Sequence, residues 1–103
     1  MGYQGQYTRL GYFSASRNIQ MSNKLWDNNR AQLRALLKKL REDDPHVNQT
    51  ELAKMLGRPQ SYISKYENGE RNLDYVEITE ICRALGTSMQ RFNRLYEKSI
   101  RIK

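Results

Sequence analysis

The stretch Gln49-Thr-Glu-Leu-Ala-Lys-Met-Leu-Gly-Arg-Pro-Gln-Ser-Tyr-Ile-Ser-Lys-Tyr-Glu-Asn-Gly69 decides how the rest of the chain is read. It describes two short helices set across a tight turn. Asn48 caps the first, with Glu51 three places on as in a capping box, and Leu52, Ala53 and Leu56 form its inner face. Gly57 stops that helix because it is free to take the positive φ of the turn. The second helix runs from about Pro59 or Gln60 to Asn68, with Gly69 as its stop. Ala53 is small where the second helix crosses it, and Ile63 points back into the angle, against Leu52 and Leu56. A small residue, a glycine four places later and a branched apolar residue six beyond that are what a helix-turn-helix requires.

Working outward from Ile63 defines an outer face. Ile63 and Tyr66 sit one turn apart and point inward. Gln60, Ser61, Ser64 and Lys65 then lie on the opposite side, with Tyr62 at its border. These polar side chains can donate and accept toward base edges in a major groove. No carboxylate lies between Gly57 and Tyr66 to repel phosphates; Glu51, Glu67 and Glu70 fall outside that window.

The flanks supply the rest of a helical domain. From about Asn28, Leu33, Leu36, Leu37 and Leu40 form one buried stripe, ended by the run Glu42-Asp43-Asp44-Pro45. Asp74 caps a fourth helix, with Glu77 three places on. Its stripe is Tyr75, Ile78, Ile81, Cys82 and Leu85, and Gly86 closes it. Thr87 or Ser88 opens a fifth, with Met89, Phe92 and Tyr96 on one side. The expected fold class is all-α, five helices joined by short turns, with strand-like alternation only weakly at Ile100-Arg101-Ile102. Tyr66 and Tyr75 read as core tyrosines with hydroxyls at the surface, Cys82 as a small core residue, and His46 as an exposed loop residue. Trp26 is either a lid on the first helix or an exposed anchor.

The strings Gln49-Thr-Glu-Leu-Ala, Leu56-Gly57, Gln60 through Arg71, and Leu73-Asp74 through Arg83-Ala-Leu-Gly86 resemble the Cro and lambda-repressor-like helix-turn-helix domains, often called XRE-like regulators. The resemblance runs from Leu36 to about Phe92. It implies a five-helix lambda-repressor-like DNA-binding domain that binds two-fold operators as a dimer. By position it implies that Gln49 touches the DNA backbone and braces Gln60. Gln60, Ser61, Ser64 and Lys65 fall where the family reads bases, with Tyr62 at a flank, and Asn68 and Arg71 fall where it holds phosphates. Pro59 departs from the family's usual capping Ser or Thr. Either Arg58 caps the helix with Pro59 at its first position, or the helix start is shifted; Arg58 joins Gln49, Asn68 and Arg71 as a candidate phosphate contact.

Composition sets the bounds. The chain has 103 residues, 38% of them apolar, enough for one compact core. Its net charge of +7 lies at the ends: residues 1–30 carry +3, residues 87–103 carry +4, and 31–86 sums to zero. A basic chain attracts polyanions, yet the neutral middle must bind DNA by placement rather than by net charge. Residues 1–24, rich in Gly, Gln, Ser and Asn, read as a flexible N-terminal extension, residues 25–98 as the DNA-binding domain, and 99–103 as a basic end. With one cysteine and one histidine, no structural zinc site is expected, and no cofactor. No glycine-rich phosphate loop or spaced nucleophile–histidine pair suggests an enzyme. No membrane span or secretory segment is read, so a cytoplasmic protein is expected. Phe92, Leu95 and Tyr96 exceed what a terminal helix needs to dock and suggest a homodimer seam. The reading reached is a repressor-type, sequence-specific regulator bound to double-stranded DNA. Its alternative is an antitoxin-like module that binds a protein partner and autoregulates; a coactivator-like domain meeting protein is a second rival.

Overall fold

The computed structural model describes residues 23–101, and five helices account for the order of the chain: α1 Asn23–Glu42, α2 Gln49–Leu56, α3 Gln60–Glu67, α4 Tyr75–Ala84 and α5 Met89–Arg101. The all-α class is as expected, and there is no strand among the described residues. None of their helices is long and apolar enough to cross a membrane. The extension assigned to residues 1–24 lies outside the described residues except for its last two, which belong to α1.

Two helix ends differ from the sequence reading. The first helix begins at Asn23 rather than near Asn28. Its apolar period starts only at Leu33, but nothing from Asn23 on breaks a helix, and the Arg30 guanidinium lies over the Trp26 ring one turn earlier, 5.7 Å from its centre. Trp26 is exposed, so it is no lid. The last helix continues through Ser99 and Ile100 to Arg101, so the first two residues of the weak alternation are helical, and Ile102 lies outside the described residues.

The core is the predicted one at its centre. Leu37, Leu52, Ile63, Tyr66, Ile81 and Cys82 are fully enclosed, joined by Ala53 and Phe92. Leu33, Leu36, Leu40, Leu56, Met89 and Tyr96 pack around them. Burial pushes the Cys82 thiol up to about 11, so it stays protonated and inert as a core residue. The tyrosines are the exceptions. Tyr66 is buried to its hydroxyl, which has no hydrogen-bond partner among the described residues, rather than reaching the surface. Tyr75 is exposed. Helical side chains lean toward the N-terminus, so the first residue of α4 covers the region ahead of the helix, and here that is solvent.

The caps explain how such short helices hold. Asn48 Oδ1 accepts from the Glu51 amide at 2.8 Å, but Glu51 turns its carboxylate toward Lys54 instead of completing the box. Asp74 and Glu77 complete theirs: Asp74 Oδ1 accepts from Glu77 N at 2.8 Å, and Glu77 Oε1 accepts from Asp74 N at 3.0 Å. At the α2–α3 turn, Gly57 is left-handed with φ of 66°, and Arg58 N reaches back to Ala53 O at 2.9 Å, the close of a Schellman-type end.

Space around Gly57 is open, with nothing within 4 Å of where a Cβ would stand. Gly57→Ala is therefore expected to lower stability through backbone strain alone, by roughly 1–2 kcal/mol. Gly57→Asn should cost less, because Asn tolerates this conformation. Urea denaturation of the three proteins checks both; an Ala variant as stable as the parent would contradict the strained-turn account.

Candidate nucleic-acid interface

The outer face of α3 is built by its period. Gln60, Ser61 and Lys65 are exposed and Ser64 is half-buried, while Ile63 and Tyr66 fill the core beneath. Residues at i, i+1, i+4 and i+5 share one side of a helix, so the structure brings these four together as expected. Asn68 and Arg71 are exposed just beyond the C-terminal end, and Arg58 just before the N-terminal end.

Tyr62 is a correction. It is buried, with 8% exposure, and packs edge-on against Tyr66 with ring centres 5.7 Å apart. The Arg58 and Arg71 guanidiniums lie over its ring at 4.6 and 4.9 Å from the centre. Its ring is thus largely covered by protein, with two arginines over it, and not at the open border of the outer face. Burial, with Glu77 nearby, holds its phenol above the usual range. Sequence spacing places Tyr62 at a border; packing against Tyr66 and the two guanidiniums over its ring cover it.

The start of α3 is the second correction. Pro59 itself is the cap, with extended backbone at φ −68° and ψ 152°, and Gln60 is the first helical residue; Arg58 does not cap. Pro59 offers no side-chain acceptor to the first turn. Arg58 is turned instead toward Tyr62 and toward Glu80 Oε1 at 3.8 Å. Arg71 is likewise engaged, donating to Glu77 Oε2. The backbone amide of Asp74 and the Arg71 guanidinium hold the Glu77 carboxyl below its usual range.

Beneath the outer face runs a chain of polar contacts that spacing does not reveal. Arg41, from α1, donates through Nε to Glu67 Oε2 at 2.8 Å and through Nη2 to Glu67 Oε1 at 3.0 Å. Both side chains are nearly buried, 9% and 2% exposed. Gln49 Nε2 donates to the same Glu67 Oε1 at 2.8 Å, and Gln60 Nε2 donates to Gln49 Oε1 at 2.6 Å. The direction of every bond follows from the first. An ionised carboxylate only accepts, so Gln49 must present its NH2 to Glu67 and its carbonyl to Gln60. Gln60 must then donate. One amide hydrogen and the carbonyl of Gln60 remain for a ligand, the pair that matches the N7 and N6 edge of adenine. Sequence reasoning passed over Arg41 and Glu67 because 26 residues separate them. A lone charge on the inner side of each helix was the available signal.

The comparisons with known proteins agree with the five-helix fold and its helix-turn-helix. A family model described as Helix-turn-helix matches residues 37–92. Among solved structures, an XRE-family like protein from Pseudomonas syringae pv. tomato str. DC3000 is similar, at 42% identity and a TM-score of 0.64, covering 73% of this chain and 92% of that one. No curated protein matches the chain.

The buried pair makes a stability prediction. Arg41→Leu or Glu67→Leu alone leaves one charge buried without its partner and is expected to cost about 3–5 kcal/mol. That is a large part of the roughly 5–15 kcal/mol that holds a domain folded. The double variant should recover most of the loss, since a hydrophobic pair of similar volume avoids desolvating two charges. The Gln60 side-chain NH2 signals should nevertheless shift in the double variant, because Gln49 has lost its acceptor. Denaturation and amide NMR together test this; additive losses in the double variant would show that the ion pair is not a coupled unit.

Proposed function

The chain belongs to the XRE-type helix-turn-helix family of DNA-binding regulators, and from that premise we propose that it is a sequence-specific repressor that binds two-fold operators as a homodimer. In this reading α3 enters the major groove. Gln60, Ser61, Ser64 and Lys65 meet base edges, while Gln49, Arg58, Asn68 and Arg71 meet phosphates on either side. The observation that carries it is the fixed Gln49–Gln60 pair. Gln60 is held in one orientation before any DNA arrives, which reduces the ordering cost of a bidentate base contact. Gln49 keeps one amide hydrogen for the backbone. Tyr62 acts through the arginines it seats.

The homodimer rests on α5. Of the seam expected from the sequence, Phe92 is buried and Tyr96 packs on the core with Met89, so the apolar surface left for a partner is Leu95, joined by Ile100, both partly exposed. Two reading helices about 34 Å apart would then engage successive half-sites. Sedimentation at micromolar concentration, with and without operator duplex, should show a dimer on DNA. A monomer protecting a single asymmetric half-site would contradict this assembly.

Selection from random-sequence duplexes is expected to enrich a two-fold symmetric site. On that site, Gln60→Ala and Lys65→Ala should each lose about 1–3 kcal/mol of binding, with little change on a scrambled duplex. Asn68→Ala should weaken both duplexes alike, since a phosphate carries no sequence information. A promoter overlapping the selected site should be less active when the protein is present. Equal losses on both duplexes for Gln60→Ala would show that α3 does not read bases in this way.

A further inference from the structure

The side of α1 that supplies Arg41 also carries Arg34 and Arg30, at steps of seven and four residues along one helical stripe. Arg41 meets Glu67, the last residue of α3, and Arg34 meets Gly69, two residues further on. The approach is close: a Cβ on Gly69 would stand 3.1 Å from the Arg34 guanidinium carbon, and the φ of 84° there already favours glycine. The first helix therefore passes the C-terminal end of the reading helix and carries two arginines beyond it. Together with the turn after α3 they line a notch of about 80 Å³, bounded by Arg30, Leu33, Arg34, Arg71, Asn72 and Leu73.

Three arginines line this one small notch, with no carboxylate among its other lining residues. Arg71 is paired with Glu77. Among the described residues, no carboxylate lies within ion-pair distance of Arg34 or Arg30. The notch is far below the ~300 Å³ at which small-molecule pockets begin, so it suits a single anionic group rather than a cofactor. Its position decides which one. A reading helix presents its N-terminal residues to base edges in the major groove, so the C-terminal end of α3 and the turn after it lie toward the groove's edge, near the phosphate backbone.

We propose that Arg34, with Arg30 beside it, forms a DNA-backbone phosphate site on α1, outside the helix-turn-helix motif, which adds a contact at the C-terminal end of α3. This rests on α3 being the DNA-facing helix, but not on its reading bases. The phosphate satisfies the excess positive charge of the notch, and the bare backbone at Gly69 leaves room for the half-exposed Arg34 guanidinium beside it.

The test is a salt series on the selected operator and on a scrambled duplex, with the full chain and its Arg34→Gln and Arg34→Lys variants. Arg34→Gln should weaken both duplexes alike and flatten the slope of log K against log salt by about 0.9 for each bound protomer, hence by about 1.8 for the proposed dimer. The ratio of parent to variant affinity should then shrink by about 12-fold between roughly 50 and 200 mM salt for the dimer, or about 3.5-fold for a single protomer. Arg34→Lys should keep the parental slope, which a purely structural role against Gly69 would not ensure. A parental slope in Arg34→Gln overturns the proposal. So does saturable binding of inorganic phosphate to the free protein that Arg34→Gln abolishes while the duplex slope stays unchanged, which would mark a free-anion site. Because the scrambled duplex reads phosphates alone, failure of base reading would appear separately, as equal affinity of the parent for both duplexes.

Discussion

A carboxylate that can only accept sits beneath the DNA-facing helix and sets the polarity of everything above it. Glu67 is enclosed by Arg41 on one side and Gln49 on the other, and Gln60 hangs from Gln49 in turn. Burying two charges is costly unless their geometry is good; here two bonds at 2.8 and 3.0 Å join them. What the arrangement gains is orientation. Left alone on an exposed helix end, a glutamine amide would turn freely and offer either face to a ligand. Three elements, α1, α2 and α3, share the bonds that prevent this.

The charge pattern follows a related logic. The central part of the chain is electrically neutral, yet its outer face is not, because the carboxylates are spent elsewhere. Glu67 faces inward against Arg41, Asp74 and Glu77 close the cap of α4, and Glu80 stands near Arg58. Lys65 is left on the exposed side of α3 without an acidic neighbour in its own helix other than the inward Glu67. Tyr62 contributes to the same end. Its ring collects two guanidiniums, which costs the residue its own access to solvent and brings Arg58 and Arg71, from before and after α3, to one place. A cation over a ring is worth on the order of 0.5–2 kcal/mol, enough to favour one rotamer of an exposed arginine.

Much of this was legible in the residues. Periodicity located the five helices and the central core, since apolar spacing of three and four residues has one structural meaning on a helix. Gly57 and the Asp74–Glu77 box marked their turns because their chemistry is local: each needs only its neighbours to be satisfied. The spacing of Ala53, Gly57 and Ile63 carried the family with it. The face formed by Gln60, Ser61, Ser64 and Lys65 followed from knowing which way Ile63 points.

What the sequence determined by itself, then, is whatever a single helix or turn decides: caps, stripes, the helix-turn-helix spacing and the outer face of α3. Tertiary structure alone decided which partners distant charges would find. Arg41 meets Glu67 and Arg34 meets Gly69 only because α1 crosses the end of α3, and Arg71 reaches the Tyr62 ring because the turn after α3 folds back beside it. Long side chains reach several ångströms and can choose among neighbours, so their positions depend on the packing angle of whole helices. The sequence shows the charges; the crossing of α1 and α3 determines which of them are buried as a brace and which are left facing outward.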